Sequence, residues 1–365
     1  MTKKNSRRSG RVITIHDVAR HADVSPMTVS RVINGESNVR EETRARVMTS
    51  IAALRYKPNQ AARSLATAET THIGILYANP SANYLSEFLL GSLEQSSLSG
   101  CQLVIEKCEA AESEVEAIER LVKGGIDGVI LPAPLCDSEE TLNAVRGAGL
   151  PAVLVASGKP AADLSAVSIN NFEASRAMTR HLLELGHRRI AFINGHPNQT
   201  GTGQRFHGYV EAMTEAGLSV DADLVAQGSF TYRSGLEAAE RLLDGGKPTA
   251  IFASNDDMAA ATMAVAHRRG LDVPRDLSVT GFDDTPLAVT VWPPLTTIHQ
   301  PIVEMAREAV RLLIGQIRGR RAGSEPQVAH RMLKFTLVKR DSCAPLESPA
   351  PDKRTSRRKA APGKA

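Results

Sequence analysis

Apolar residues change their spacing along this chain, and the change divides it. In residues 15–54 they recur at helical intervals. Val18, Ala19, Ala22 and Val24 make one stripe, Val29, Val32 and Ile33 a second, and Val47, Ile51 and Leu54 a third. This predicts three short helices closing on one small core. From residue 72 onward, continuous apolar runs of strand length take over, at 72–77, 102–105, 128–131, 152–155, 190–193, 250–253 and 278–282. Amphipathic segments of helical length lie between them, for example 112–123 and 235–243. Continuous apolar strands separated by helices indicate parallel sheets covered on both faces. Two such sets, before and after about Ile169, predict two doubly wound lobes, and such sheets bind ligands beyond their strand C-termini.

The helical segment carries its own punctuation. Thr14 and Ser25 stand where they can cap the first and second helices, with Thr28 three residues after Ser25. Pro26 falls at a first helical position, where its missing N–H removes no bond. The turn Ala22-Asp23-Val24-Ser25 is short enough for a helix-turn-helix. Pro26, Met27, Thr28, Ser30 and Arg31 face away from the apolar stripe and can reach base edges or phosphates. Gly35 after Asn34 can end the second helix in a left-handed conformation. The segment N-Q-A-A-R-S-L at 59–65 is helix-prone but too short to be stable alone. The plainer alternative is a three-helix bundle with a solvated basic face.

Charge sharpens the division. The 365 residues suit two or three domains. Residues 1–65 hold 13 Lys and Arg against 5 Asp and Glu, about +8, whereas residues 66–340 come to about −7. An acidic body is repelled by DNA, so nucleic-acid binding belongs to the N-terminal head. Residues 1–10 and 344–365 are low-complexity, basic and unable to bury a core. The four cysteines show no metal-ligand spacing and read as free thiols. No run of 18 apolar residues exists, and no apolar signal core follows the basic N-terminus. The expectation is a cytoplasmic, nucleoid-associated protein without membrane contact.

Several longer motifs extend the reading. They are I-H-D-V-A-R-H-A-D-V-S-P-M-T-V-S-R-V-I-N-G from Ile15, Y-K-P-N-Q-A-A-R-S-L to Leu65, H-L-L-E-L-G-H-R-R-I-A-F-I-N-G from His181, R-F-H-G-Y from Arg205, F-A-S-N-D-D-M-A from Phe252, G-F-D-D-T from Gly281 and P-P-L-T-T-I-H-Q-P from Pro293. Together, along nearly the whole chain, they resemble the lac/gal repressor family of bacterial transcription regulators. The resemblance implies an α/β chain with an N-terminal helix-turn-helix head and a two-lobed, periplasmic-binding-protein-like body of doubly wound parallel sheets. Its segments would be a basic tail at 1–12, the head at 13–58, a hinge at 59–70, the body at 71–341 and a second basic tail at 342–365. It further implies a homodimer on palindromic operator DNA, a sugar or sugar derivative as effector between the lobes, and no metal, cofactor or enzymatic activity. The chain would cross between lobes three times, returning to the first at Thr296-Thr297-Ile298 and placing a last strand, 335–339, in the second.

Residue by residue, the resemblance assigns DNA contacts to Thr14, Ser25, Pro26, Met27, Thr28, Ser30, Arg31, Asn34 and Tyr56. In the hinge it assigns them to Asn59, Ala62, Arg63 and Leu65, with Leu65 prying open the central base step. For the effector, Arg205 would hold paired oxygens with its fork. Asn255 would donate and accept, Asp283 would clamp two hydroxyls, and Phe230 would pack on a sugar face. Tyr84 and Leu85 would wall the pocket from the first lobe, with Asn170 nearby. Plainer roles stand beside these: a surface ion pair for Arg205, helix caps for Asp283 and Asp284, and core packing for Phe230. Two departures are Arg40, where the family usually caps its third helix with Ser or Thr, and Asn170-Asn171, where it often has Asp-Asn.

Other apparent chemistry is weak. G-T-G-Q-R-F-H-G from Gly201 lacks dinucleotide-fingerprint spacing. His187 sits at a helix-to-strand turn and reads as structural. The Asp256-Asp257 and Asp283-Asp284 pairs are sequence neighbours, not facing carboxylates, and no G-x-S-x-G occurs. A transport binding protein would share the body but lack the basic head. An enzyme on a doubly wound fold would need a catalytic constellation that the sequence does not display.

Overall fold

A computed structural model describes residues 13–33, 39–54, 56, 70–108, 113–245, 247–325 and 327–346. The chain forms two compact units, Met1–Thr70 and Thr71–Ala365.

In the head, α1 (Ile15–Ala22), α2 (Pro26–Ile33) and α3 (Glu41–Ala53) close on Val18, Ala19, Ala22, Val29, Val32 and Val47. The Asp17 carboxylate accepts the Thr14 N–H at 2.9 Å and its hydroxyl at 2.8 Å, fixing the start of α1. Asp23 takes the left-handed conformation that turns the chain, with φ 51°. Ser25 Oγ then accepts the Thr28 N–H at 3.1 Å, capping α2 as expected. Helix α3 starts at Glu41 with Arg40 giving no side-chain cap. Glu41 and Glu42 in its first turn complement the helix dipole instead. The Ser50 hydroxyl donates to Arg46 O at 2.9 Å, so His21 Nδ1, 3.0 Å away, is its donor and ties α1 to α3.

The body begins with β1 (His72–Tyr77), α4 (Ala82–Ser99), β2 (Gln102–Lys107), α5 (Glu114–Lys123), β3 (Gly128–Pro132), α6 (Glu139–Gly147), β4 (Ala152–Val155) and β5 (Ser165–Ile169). The second lobe follows with α7 (Asn171–Glu184), β6 (Ile190–Asn194), α8 (Thr200–Glu215), β7 (Val225–Gln227), α9 (Tyr232–Gly245), β8 (Ala250–Ala253), α10 (Asp256–Arg268), β9 (Ser278–Thr280) and α11 (Leu287–Thr290). The chain ends with β10 (Thr297–His299), α12 (Ile302–Arg321), β11 (His330–Leu333) and β12 (Thr336–Val338). Two parallel sheets result, ordered β2-β1-β3-β4-β5-β11 and β7-β6-β8-β9. The central strands β3, β4 and β8 are buried along their whole length, as their unbroken apolar runs require.

The lobe connections differ in detail from the expected ones. Strand β10 does not join the first sheet. It pairs antiparallel with β12 and bridges to the segment after β9, at Thr280–Thr296 and Asp283–His299. The return to the first lobe comes after Gln300, where α12 packs on α4 and under the first sheet. Gly91 permits that approach, since a Cβ there would lie 2.2 Å from Val303 O. The last strand is shorter than 335–339 and belongs to this two-stranded ribbon. His187 is buried, with Nε2 3.1 Å from Ala344 O and Nδ1 2.9 Å from Thr249 Oγ1. Burial lowers its pKa, and it pins the C-terminal segment to the second lobe. The four cysteines are unpaired.

Candidate functional site

Helix α2 presents the candidate reading surface of the head. Val29 and Val32 point into the core, which leaves Ser25, Pro26, Met27 and Arg31 exposed, with Met27 64% accessible. An apolar side chain so exposed on a helix whose other face is fixed is a candidate base contact. Thr28 and Ser30 are half-buried flanks of the same face. Tyr56 is half-buried: its ring packs against the head core and its N–H donates to Ile51 O at 3.0 Å. Asn34, Asn59, Ala62, Arg63 and Leu65 lie outside the described residues.

The body holds a cavity between its lobes, about 340 Å³ of non-protein space that is partly open to solvent. The first lobe contributes Asn79, Ser81, Tyr84, Ala133 and Ala156, all at or just after the C-terminal ends of β1, β3 and β4. The second contributes Gln199, Arg205, Phe230, Asn255 and Asp283, and the crossing segment adds Gln300. This is the location that a doubly wound sheet offers.

Arg205 is the centre of the cavity. It is 7% exposed, and its guanidinium carbon stacks 3.6 Å from the centroid of the Phe282 ring. Nε donates to Asn171 Oδ1 at 2.8 Å and Nη1 to Ser254 O at 2.5 Å, which fixes the fork. Asp283 Oδ1 lies 3.9 Å from Nη1, an ion-pair distance too long for a hydrogen bond. Burial raises the Asp283 pKa well above the carboxylate range; Arg205 pulls it down, while Asp256 and Asp257 push it further up. Burial likewise lowers the Arg205 pKa, offset by Asp283. Both shifts have one cause: the pair is desolvated, and its separation leaves the attraction incomplete.

Backbone strain gathers here. Phe230, Asp283 and Asp284 have φ of 62°, 109° and 60°, sparsely populated for residues with a side chain. Gly195 makes the Phe230 conformation possible, because a Cβ on it would stand 2.0 Å from the ring. Phe230 therefore packs in the second-lobe core and lines the cavity at once. Asp283 and Asp284 cap no helix. Asp284 instead binds Arg340 Nη2 at 2.6 Å and His299 Nδ1 at 3.1 Å. Two further polar atoms, Tyr84 Oη and Gln300 Oε1, are buried without a partner among the described residues.

Polar contacts latch the lobes around the cavity. Ser81 Oγ and Asn83 Nδ2 donate to Asp257 at 2.5 and 2.7 Å. Asp137 accepts from Ser157 Oγ at 2.6 Å and from the Thr200 N–H at 2.7 Å. Behind the wall, Asp256 accepts from the Thr285 N–H, the Thr285 hydroxyl and the Thr297 hydroxyl at 2.8, 3.1 and 2.7 Å. Burial still pushes its carboxyl up to about 7.

Five of the seven expected effector residues thus reach the cavity: Tyr84, Arg205, Phe230, Asn255 and Asp283. The polar atoms of Asn255 are spoken for: Oδ1 caps α10 through the Met258 N–H at 3.0 Å, and Nδ2 donates to Phe230 O at 3.0 Å. Asn170 caps α7 through the Glu173 N–H at 3.0 Å, and neither it nor half-buried Leu85 lines the cavity. The asparagine that matters is its neighbour Asn171, which orients Arg205. Asn79, Ser81, Gln199 and Gln300 escaped the sequence reading. The first two directly follow an identified strand, and that position was their available signal.

Known proteins share this arrangement. The family described as bacterial regulatory proteins, lacI family, matches residues 14–59, and the periplasmic binding protein-like domain matches residues 179–343. The HTH-type transcriptional regulator DegA of Bacillus subtilis is 36% identical over 338 residues, covering 92% of this chain and 99% of the relative. Catabolite control protein A of Priestia megaterium is 35% identical over 304 residues, covering 82% and 91%. The structure of a transcriptional regulator CelR–cellobiose complex superposes with a TM-score of 0.69 at 32% identity, covering 90% of this chain and 99% of that one. The lac repressor dimer bound to operator and the anti-inducer ONPF gives 0.66 at 28% identity, covering 92% and 100%. With a candidate reading helix in one unit, an interlobe cavity in the other and relatives that match along nearly their whole length, the chain belongs to the lacI family of bacterial regulatory proteins.

Proposed function

We propose that this chain represses carbohydrate-utilisation genes in the cytoplasm, binding palindromic operator DNA as a homodimer under the control of a small sugar-like effector held between its lobes. One observation carries the effector assignment. Tyr84 Oη and Gln300 Oε1 are buried and unpaired in the cavity that also holds Arg205 and Asp283. Buried polar atoms are paired as a rule, so this wall calls for a ligand rich in hydroxyls. Support for a dimer comes from apolar side chains standing exposed on both lobes, Leu90 and Leu93 on α4 and Trp292 beyond α11.

Binding between lobes can control the head only if the effector prefers one lobe arrangement over another. The Ser81–Asp257 and Asp137–Thr200 latches are contacts that such a preference would make or break. The deciding experiment has two arms. A sugar panel is screened by thermal shift, in which a ligand at 100 times its Kd stabilises by about 2.7 kcal/mol. Hits are then titrated against the chain bound to labelled DNA that it has selected from a random pool. A hit that changes DNA affinity in the wild type but not in Tyr84→Phe supports the reading. A chain that selects DNA but responds to no sugar refutes the effector class alone.

A further inference from the structure

The strand C-termini of the first lobe face the cavity, so the strand N-termini make the opposite pole, where the chain enters the body at Thr71. The last turn of α12 lies at that pole and reads R-G-R-R, residues 318–321. Arg321 binds Thr71 Oγ1 at 3.1 Å and Asp127 Oδ1 at 2.8 Å, the residues that open β1 and β3. Arg320 donates to Gly149 O, just before β4. Arg318 is exposed and makes no hydrogen bond or ion pair among the described residues.

We propose that Arg318 and Arg320 bind backbone phosphates of the DNA on which the head sits, at positions flanking the bases the head reads, with Arg321 as the anchor that fixes them to the pole. The proposal rests on the DNA-binding reading and extends it to the body. Three facts support it. The body is acidic, about −7 over residues 66–340, so a run of three arginines is a local reversal of its field. The run is anchored on Thr71, and only residues 57–70 separate that point from the described part of the head. Fourteen residues span at most about 50 Å, so DNA held by the head stays within a tether's length of the arginines. Basic residues at a helix C-terminus also complement its dipole. That accounts for their sign, yet not for an exposed Arg318 guanidinium without a hydrogen bond or ion pair among the described residues, at the pole where the tether joins the body.

The test uses the full-length chain and a long duplex centred on the sequence it selects from a random pool. Affinity is measured between 50 and 200 mM salt. Each phosphate contact contributes about −0.9 to the slope of log K against log salt. The double variant Arg318→Gln/Arg320→Gln removes two contacts from each protomer, so it should flatten the slope by about 3.6 per dimer and weaken binding at least roughly tenfold at low salt. The Lys pair at the same positions should restore both. A duplex trimmed to the palindrome should be bound alike by variant and wild type. Arg233→Gln, removing an exposed charge from the second lobe, should change nothing. Parallel salt lines for the Gln variant and wild type overturn the proposal, as does an equal effect of Arg233→Gln. Melting of the variant at the wild-type temperature shows that the fold is intact. A wild-type chain that selects no sequence overturns the DNA-binding reading and this extension together, and is recognisable because it precedes any variant.

Discussion

Met27 in the head is 64% exposed and stands on a helix held by a core to which it adds nothing. Arg205 in the body is 7% exposed and is held by Asn171, Ser254, Phe282 and Asp283, the last of which also lines the cavity. The two regions solve recognition in opposite ways. DNA is a large, charged, pre-shaped partner, so a reader needs only a rigid face offered to solvent. A small polar effector must be stripped of water on all sides, so its binding groups are buried, desolvated and structural. The head should therefore separate function from stability, and the cavity should not.

The strongest way to break this contrast is Arg205→Ala. It removes the partner of a buried carboxylate and leaves Asn171 Oδ1 and Ser254 O unpaired. Losing one member of a buried pair costs about 3–5 kcal/mol. The body should unfold at much lower urea and the effector response should vanish, while DNA binding at low temperature persists through the separate head. Arg205→Lys keeps the charge but not the fixed fork, and should recover part of the stability without the response. An alanine variant as stable as wild type would mean that Arg205 is not structural and would sink the contrast.

How legible each region was follows from the same difference. Head residues that matter fall within one short stretch, and their local chemistry announces them: Ser25 as a cap, Pro26 as a helix start, Met27 as an apolar residue off the stripe. Tyr56 shows the limit of local reading, because a tertiary contact packs this half-buried aromatic against the head core. The strands of the body were equally clear where both faces are buried. Those missed are β7 and β11, short strands at sheet edges, and β5, an interior strand whose run S-A-V-S-I is broken by serines. The cavity was partly legible, because strand ends mark where ligands go. Which polar group is free there depends on non-local bonds. Asn255 looks like a ligand donor until the Met258 N–H and Phe230 O are seen to occupy it, and Gln300 looks ordinary until its oxygen is seen to be buried alone.

A second prediction sharpens the contrast through pH. Burial pushes the Asp256 carboxyl up to about 7, against about 3.9 in an unfolded chain. A raised carboxyl binds its proton more tightly in the folded state. The stability it contributes is therefore fully present below about pH 4 and is lost as pH rises through about 7. Asp256→Asn can keep the Thr285 bonds on its oxygen while the Thr297 hydroxyl turns to accept. The variant should show a flatter fall in unfolding free energy, read from urea titrations, between pH 4 and 7, by up to a few kcal/mol across that window. His181 and His187, whose pKa values burial lowers, act in the opposite sense in both proteins and cancel in the difference. Equal pH slopes for variant and wild type would show that Asp256 is ionised in the fold. DNA affinity at fixed temperature should be the same in both.

The smallest effect lies in the head, and it separates two neighbours on one helix. Ser25 Oγ accepts the Thr28 N–H at 3.1 Å, so Ser25→Ala leaves a helix-end donor to water and should cost about 1 kcal/mol. In a domain this small, that is a measurable loss of melting temperature for the head, with the body transition unmoved. Met27→Ala, two residues on, removes more atoms but none that touch the core, and should shift stability by less than about 0.5 kcal/mol. Its effect should appear in sequence preference, read by selecting duplexes from a random pool with each variant. Ser25→Ala should keep the wild-type half-site and Met27→Ala should relax it at a specific position. If Met27→Ala instead lowered the melting temperature as much as Ser25→Ala and left the half-site unchanged, its side chain would be a packing group. The head would then mix function with stability as the cavity does.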